Sequence, residues 1–128
     1  MSNSDLRRMQ KKSLDSSPDE TRSFEKGKVK VAKIANTIIG IGRFEPGWSW
    51  EKCIKPMVKT ESCQSPHTLY VLSGQVKFKM DDGSEEEYRV GDVGYVPPGH
   101  DSWVVGDETF EALDFTGSES WMKAMSTK

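Results

Sequence analysis

From residue 28 onward the chain alternates. Val29, Val31 and then Ile34 are set against Lys28, Lys30 and Lys33, and period two with β-branched residues marks a half-buried strand. Asn36-Thr37 turns the chain, residues 38–44 make a second strand, and Pro46-Gly47 ends it. Residues 48–65 are irregular around Pro56, with a short strand expected at 57–60. The clearest strands follow. Residues 68–73 lead through Gly74 into 75–80, and Asp81-Asp82-Gly83 closes a hairpin onto 86–90, because Asp-Gly between alternating strands is a strong hairpin signal. Strands at 93–96, 103–105 and 109–115 are separated by Pro97-Pro98-Gly99 and other turn residues. Short strands punctuated in this way predict an all-β fold, a small antiparallel barrel. Residues 119–125 alone suggest a short C-terminal helix.

Residues 1–24 are rich in Ser, Asp, Lys and Arg. Such a composition buries too little apolar surface to order itself, so they are expected to form a disordered polar tail ahead of one domain over 25–128. In the strand at 68–72 both faces are apolar, with His67, Leu69 and Val71 on one and Tyr70 and Leu72 on the other. A strand apolar on both faces needs an outer cover. A homodimer is the expectation, the N-terminal strand being the other candidate.

Composition narrows the partners. Lys and Arg number 18 against 20 Asp and Glu, a net charge of -2, which argues against nucleic acid or an anionic membrane as partner. No apolar run approaches a membrane span and no signal-peptide core follows the start, so a cytoplasmic location is expected. Two cysteines, Cys53 and Cys63, are too few for a disulfide framework. Cys53 reads as an ordinary packing thiol.

The two histidines, His67 and His100, each lie in a strand-and-turn motif. One runs Glu61-Ser-Cys63-Gln-Ser-Pro-His67-Thr-Leu-Tyr-Val-Leu-Ser-Gly74, the other Gly91-Asp-Val-Gly-Tyr-Val-Pro97-Pro98-Gly99-His100-Asp-Ser102-Trp103. Imidazole is the commonest metal-ligating side chain and titrates near neutrality, so the pairing suggests a metal centre or an acid/base site. Over residues 43–114 these motifs resemble the cupin superfamily. Aligned on Gly74, His67 stands where that family carries glutamate, Cys63 where it carries its second histidine, and Glu61 where it carries its first. Gly91, Pro97 and Gly99 match the second motif; the family's histidine position falls on Ser102, with His100 two residues earlier. The resemblance sharpens the barrel to a cupin-like jelly roll and implies that the face bearing these residues points into it.

Cys63, Ser65 and His67 are at even spacing, as is Glu61, so an extended segment puts them on one face. His100 and Ser102 share parity too. Cys63, His67 and His100 are therefore the expected metal ligands, completed by Glu61 or a water. Sulfur with nitrogen favours zinc, with iron, copper or nickel as alternatives. Glu61 is the candidate general base where it does not ligate. Arg43, Trp48, Trp50, Ser102 and Trp103 are candidates for a substrate pocket, the tryptophans serving either as a stacking wall or as core and interface filling. The reading is a metal-binding cupin acting on a small organic molecule by a lyase, isomerase or oxygenase type of step. The alternatives are a non-enzymatic metal or metabolite sensor, and a metal-free isomerase or epimerase with His67 or His100 as base.

Overall fold

The computed structural model describes residues 6–117; the helix expected at 119–125 lies outside them. All strand pairings are antiparallel and fall into two sheets. The strands are β1 (Glu20–Phe24), β2 (Gly27–Ile34), β3 (Thr37–Phe44), β4 (His67–Ser73), β5 (Gln75–Met80), β6 (Glu85–Arg89), β7 (Val93–Val96), β8 (His100–Val105) and β9 (Phe110–Asp114). One sheet runs β1-β2-β3-β9-β4-β7 and the other β6-β5-β8. Between them Val29, Val31, Leu69, Val71, Val76, Phe78, Val104, Phe110 and Ala112 form the core. The alternation of the sequence becomes the two sides of each sheet. In β4, for instance, Leu69 and Val71 are buried while Tyr70 and Leu72 are exposed.

Two expectations are corrected. Residues 57–60 carry no strand; instead Lys55–Met57 make a 3-10 turn with Pro56 in its first positions, where the missing N–H of proline is no loss. Just before it, Trp50–Cys53 form a single helical turn, α1. Ser49 caps α1, its Oγ accepting the Lys52 N–H at 3.2 Å.

The second correction concerns Glu20–Phe24, which composition placed in the polar tail but which pair with β2 from Glu20↔Val31 to Phe24↔Gly27. The anchor is Phe24, whose ring lies 5.8 Å from Phe44 and 6.5 Å from Trp48. These two ring contacts, together with the backbone pairing to β2, anchor an otherwise polar segment. Upstream, Asp19 Oδ2 accepts the Lys33 N–H at 2.6 Å and Gln10 Oε1 accepts the Ala35 N–H at 2.9 Å. The strand edge thus finds side-chain partners where no further strand supplies them.

β1 lies at the far end of the large sheet from β7, so it does not cover the outer face of β4. Tyr70 and Leu72 there join Val93 and Tyr95 of β7, which are 72% and 61% exposed. Tyr70 pairs directly with Val93 across the strands, which makes this one contiguous apolar face.

Candidate metal centre

The turn Pro97-Pro98-Gly99 delivers His100 directly into the first position of β8. Gly99 adopts φ 94°, a conformation open to glycine at little cost. The strand therefore begins early enough for His100, Ser102 and Val104 all to be buried on the inner side, with Asp101, Trp103 and Val105 alternating outward. Cys63 is pinned opposite: its N–H donates to the His100 carbonyl at 2.7 Å, and its own carbonyl accepts from Gly99 N at 2.7 Å and His100 N at 3.2 Å. His67 opens β4 beside Val96 of β7.

Backbone pairing thus brings Cys63, His67 and His100 together, with one ligand atom from each lying within 4.8 Å of the others. Cys63 Sγ is 4.0 Å from His67 Nε2, and the two imidazole rings are 5.1 Å apart. A tetrahedral zinc with ordinary sulfur and nitrogen distances sets its ligand atoms roughly 3.5 Å from one another.

Both imidazoles are oriented from behind. His100 Nδ1 lies 2.8 Å from the Pro97 carbonyl; a carbonyl only accepts, so Nδ1 carries the hydrogen and Nε2 is the atom left available to a metal. His67 Nδ1 donates to Asp114 Oδ2 at 2.6 Å. Asp114 is itself held by its other oxygen, which accepts Thr116 N at 3.1 Å and Gly117 N at 3.0 Å. A ligand histidine backed by a carboxylate or carbonyl is the usual arrangement around a protein-bound metal. The site's donors therefore suit a borderline transition-metal ion.

The electrostatics point the same way. Burial alone would push the Cys63 thiol up, but hydrogen bonds and charge from His100 and His67 outweigh it and bring it from 9.0 to about 6. Burial alone would lower His67; Asp114 first, then Cys63, overcome it and raise the imidazole from 6.5 to about 9. Burial alone would raise Asp114, but the hydrogen bond and charge of His67, with the Gly117 and Thr116 N–H groups, hold it below the ordinary carboxylate value. Each group thus favours the charged form of the other, a thiolate beside a protonated imidazole, in the window between those two values.

Cys63, His67 and His100 border a cavity of about 80 Å³, walled also by Phe44, Trp48, Trp50, Phe78 and Phe110 among others, and by Ser102. Of the residues considered for a substrate pocket, Trp48, Trp50 and Ser102 line this cavity. Three other candidates do not. Glu61 is 98% exposed and pairs with Lys55 at 3.4 Å, because the 3-10 turn and bend before Cys63 break the even spacing that would have carried it inward. Arg43 points outward from β3 to Glu111 at 3.2 Å, and Trp103 alternates away from Ser102. Asp114 was missed, although it shares parity with the buried Ala112 on β9. An acidic residue on an inner face was the signal. Cys53 is a buried free thiol of the core, as expected.

A family model described as EutQ-like cupin domain matches residues 45–115. Among solved structures, the chain is similar to an oxalate decarboxylase of Lactobacillus farciminis crystallised as a formate complex. That likeness has 22% identity and a TM-score of 0.54, over 77% of this chain and 31% of that one. An oxalate decarboxylase of Bacillus subtilis with Mn(II) centres is 28% identical with a TM-score of 0.52, over 81% of this chain and 28% of that one. A protein of unknown function from Acinetobacter sp. ADP1 shares 17% identity with a TM-score of 0.55, over 77% of this chain and 90% of its own. The chain thus spans about a third or less of the decarboxylases it matches. No curated protein matches it.

Proposed function

The chain belongs to the EutQ-like cupin domain family, and from that premise we propose that it is a small metal-binding cupin acting on a small organic molecule. Cys63, His67 and His100 are its ligands and zinc its ion. The observation that carries the reading is the pair of imidazoles whose Nδ1 atoms are both engaged, by Asp114 and by Pro97, beside a buried thiol within ligand distance. The likeness to a Mn(II)-containing oxalate decarboxylase supports a divalent ion, while the sulfur donor favours zinc over manganese.

A bound divalent ion supplies Lewis acidity to a ligand oxygen, in support of a lyase, isomerase or oxygenase type of step. Cys63 and the histidines hold the ion. Asp114 fixes the His67 ring and takes up its Nδ1 hydrogen bond, and the aromatic wall excludes water. A second reading, a non-enzymatic metal or metabolite sensor, is favoured by one observation. Among the described residues lining the cavity, the one carboxylate, Asp114, is already engaged by His67, Thr116 and Gly117, so no separate general base stands there. Turnover of a metabolite by the metal-loaded protein would distinguish the enzyme from the sensor.

Proton competition tests the ligand set. Metal must displace the proton that His67 retains up to about 9, whereas Cys63 is already a thiolate above about 6. His67 is therefore expected to make zinc affinity rise about tenfold per pH unit up to pH 9, with Cys63 steepening the slope below pH 6. Chelator competition across that range measures this, and an affinity independent of pH between 7 and 9 would remove His67 from the site.

The exposed face of Tyr70, Leu72, Val93 and Tyr95 supports the proposal that the protein is a homodimer, since two-fold pairs are the commonest soluble assemblies and contiguous exposed apolar faces mark interfaces. Light scattering is expected to give about twice the 14.4 kDa chain mass. Tyr70→Lys together with Val93→Lys is expected to give the monomer. A wild-type protein that is monomeric at micromolar concentration would refute it.

A further inference from the structure

The outer side of the large sheet carries a groove that the metal site does not use. Its volume is about 420 Å³, within the range of small-molecule pockets. Lys28 and Lys30 of β2 with Ile41 and Arg43 of β3 form its floor, and Leu14 and Asp15 of the N-terminal segment close one side. Arg43, a substrate-pocket candidate in the sequence, belongs to this groove and not to the barrel cavity.

Strand geometry concentrates positive charge here. Val29 and Val31 are buried, so Lys28 and Lys30 share the opposite, outer side of β2. Lys28 stands directly across from Arg43 in the pairing of β2 with β3, and like charges so placed destabilise a sheet. Cross-strand and diagonal spacings put the roots of the three cations within about 8 Å of one another.

The carboxylates nearby compensate this charge incompletely. Arg43 meets Glu111 through one nitrogen, Nη1, at 3.2 Å, which leaves most of its five-donor fork for another acceptor. The Lys30 side chain is only 18% exposed, yet its closest partner is the neutral Asp15 carbonyl at 2.9 Å. The Asp15 carboxylate lies 3.5 Å away and is fully exposed, where water weakens the pairing. Among the described residues nothing engages the Lys28 ammonium. A largely covered lysine without a close counter-ion is uncommon, and an incoming anion would supply one.

We propose that this groove binds a small organic phosphate monoester. Lys28, Lys30 and Arg43 hold the phosphate, and the apolar part lies on Ile41 and Leu14. A phosphate monoester brings about -1.5 to -2 charges and three acceptor oxygens at neutral pH, one oxygen for each cationic side chain; a carboxylate brings a single charge. The guanidinium fork and the two ammonium groups suit that geometry. The site shares no residue with Cys63, His67 and His100, so the inference stands apart from the metal reading.

The test titrates the full chain with phenyl phosphate, inorganic phosphate and benzoate, following backbone amides by NMR. Saturable shifts centred on Lys28, Lys30 and Arg43 are expected with phenyl phosphate. It should bind about tenfold more tightly than either control, because inorganic phosphate lacks the ring and benzoate the second charge. Lys28→Gln should weaken it about three- to tenfold. Lys59→Gln, which alters an exposed lysine outside the groove, should not. Lys28 is exposed, so its replacement leaves the fold intact. Equal binding of the three probes, binding of none, unchanged affinity in Lys28→Gln, an equal loss in Lys59→Gln, or shifts confined to the surroundings of His67 would each overturn the proposal.

Discussion

Replacing Cys63 with serine, or His67 or His100 with alanine, is expected to weaken zinc binding by roughly 100- to 1000-fold. The magnitude follows from dividing the roughly 10–16 kcal/mol of a structural zinc site among four ligands, about 3 kcal/mol each. Asp114→Asn should cost less, about 10- to 100-fold, because it loosens the His67 ring without removing a ligand. Glu61→Ala should cost nothing, since that carboxylate is exposed and paired only with Lys55. Elemental analysis and chelator competition give the ranking. Full retention of metal in all three ligand variants would sink the site assignment, and a large loss in Glu61→Ala would mean the segment folds inward.

Gly117→Ala is the second large effect, and it arises from space alone. A Cβ on Gly117 would overlap the Pro66 carbonyl oxygen and press on His67 Nδ1 at 2.8 Å, both backed by the β4 and β9 framework. Neither neighbour is the end of a flexible chain, so the Asp114–Gly117 turn has to move. That turn supplies the two backbone donors that hold Asp114. Forced overpacking costs about 1–3 kcal/mol, which for a domain of this size lowers Tm by roughly 5–15 °C. Loss of the Asp114 anchor should also weaken zinc binding about tenfold. Calorimetry and chelator competition on one preparation measure both, and unchanged values would show that the turn does not buttress His67.

Much of this was legible because β-strand geometry is local. Alternation located β2 to β9 to within a few residues, and the same rule carried Cys63 and His67 to one site, with His100 and Ser102 sharing the inner face of β8. It also contained the means to reject two candidates. Arg43 stands between Gly42 and Phe44, whose parity faces the core, and Trp103 neighbours an inward Ser102, so both had to point outward. Glu61 failed for a different reason: parity propagates only through an extended chain, and the 3-10 turn at Lys55–Met57 with the bend after it interrupts that. β1 was hidden because its order rests on Phe24 meeting Phe44 and Trp48, a contact no local window contains. Asp114 lies far from His67 in sequence, and only the pairing of β4 with β9 brings them together.

The central claim is that one thiolate and two imidazoles bind a single ion tetrahedrally. Replacing zinc with cobalt(II) makes the ion visible, because its absorption reports both geometry and the presence of sulfur. Intense visible bands of tetrahedral cobalt with a thiolate charge-transfer band in the near ultraviolet are expected at one equivalent, and Cys63→Ser should lose the charge-transfer band. Weak octahedral bands with no sulfur signature, or no cobalt binding at all, would contradict the account.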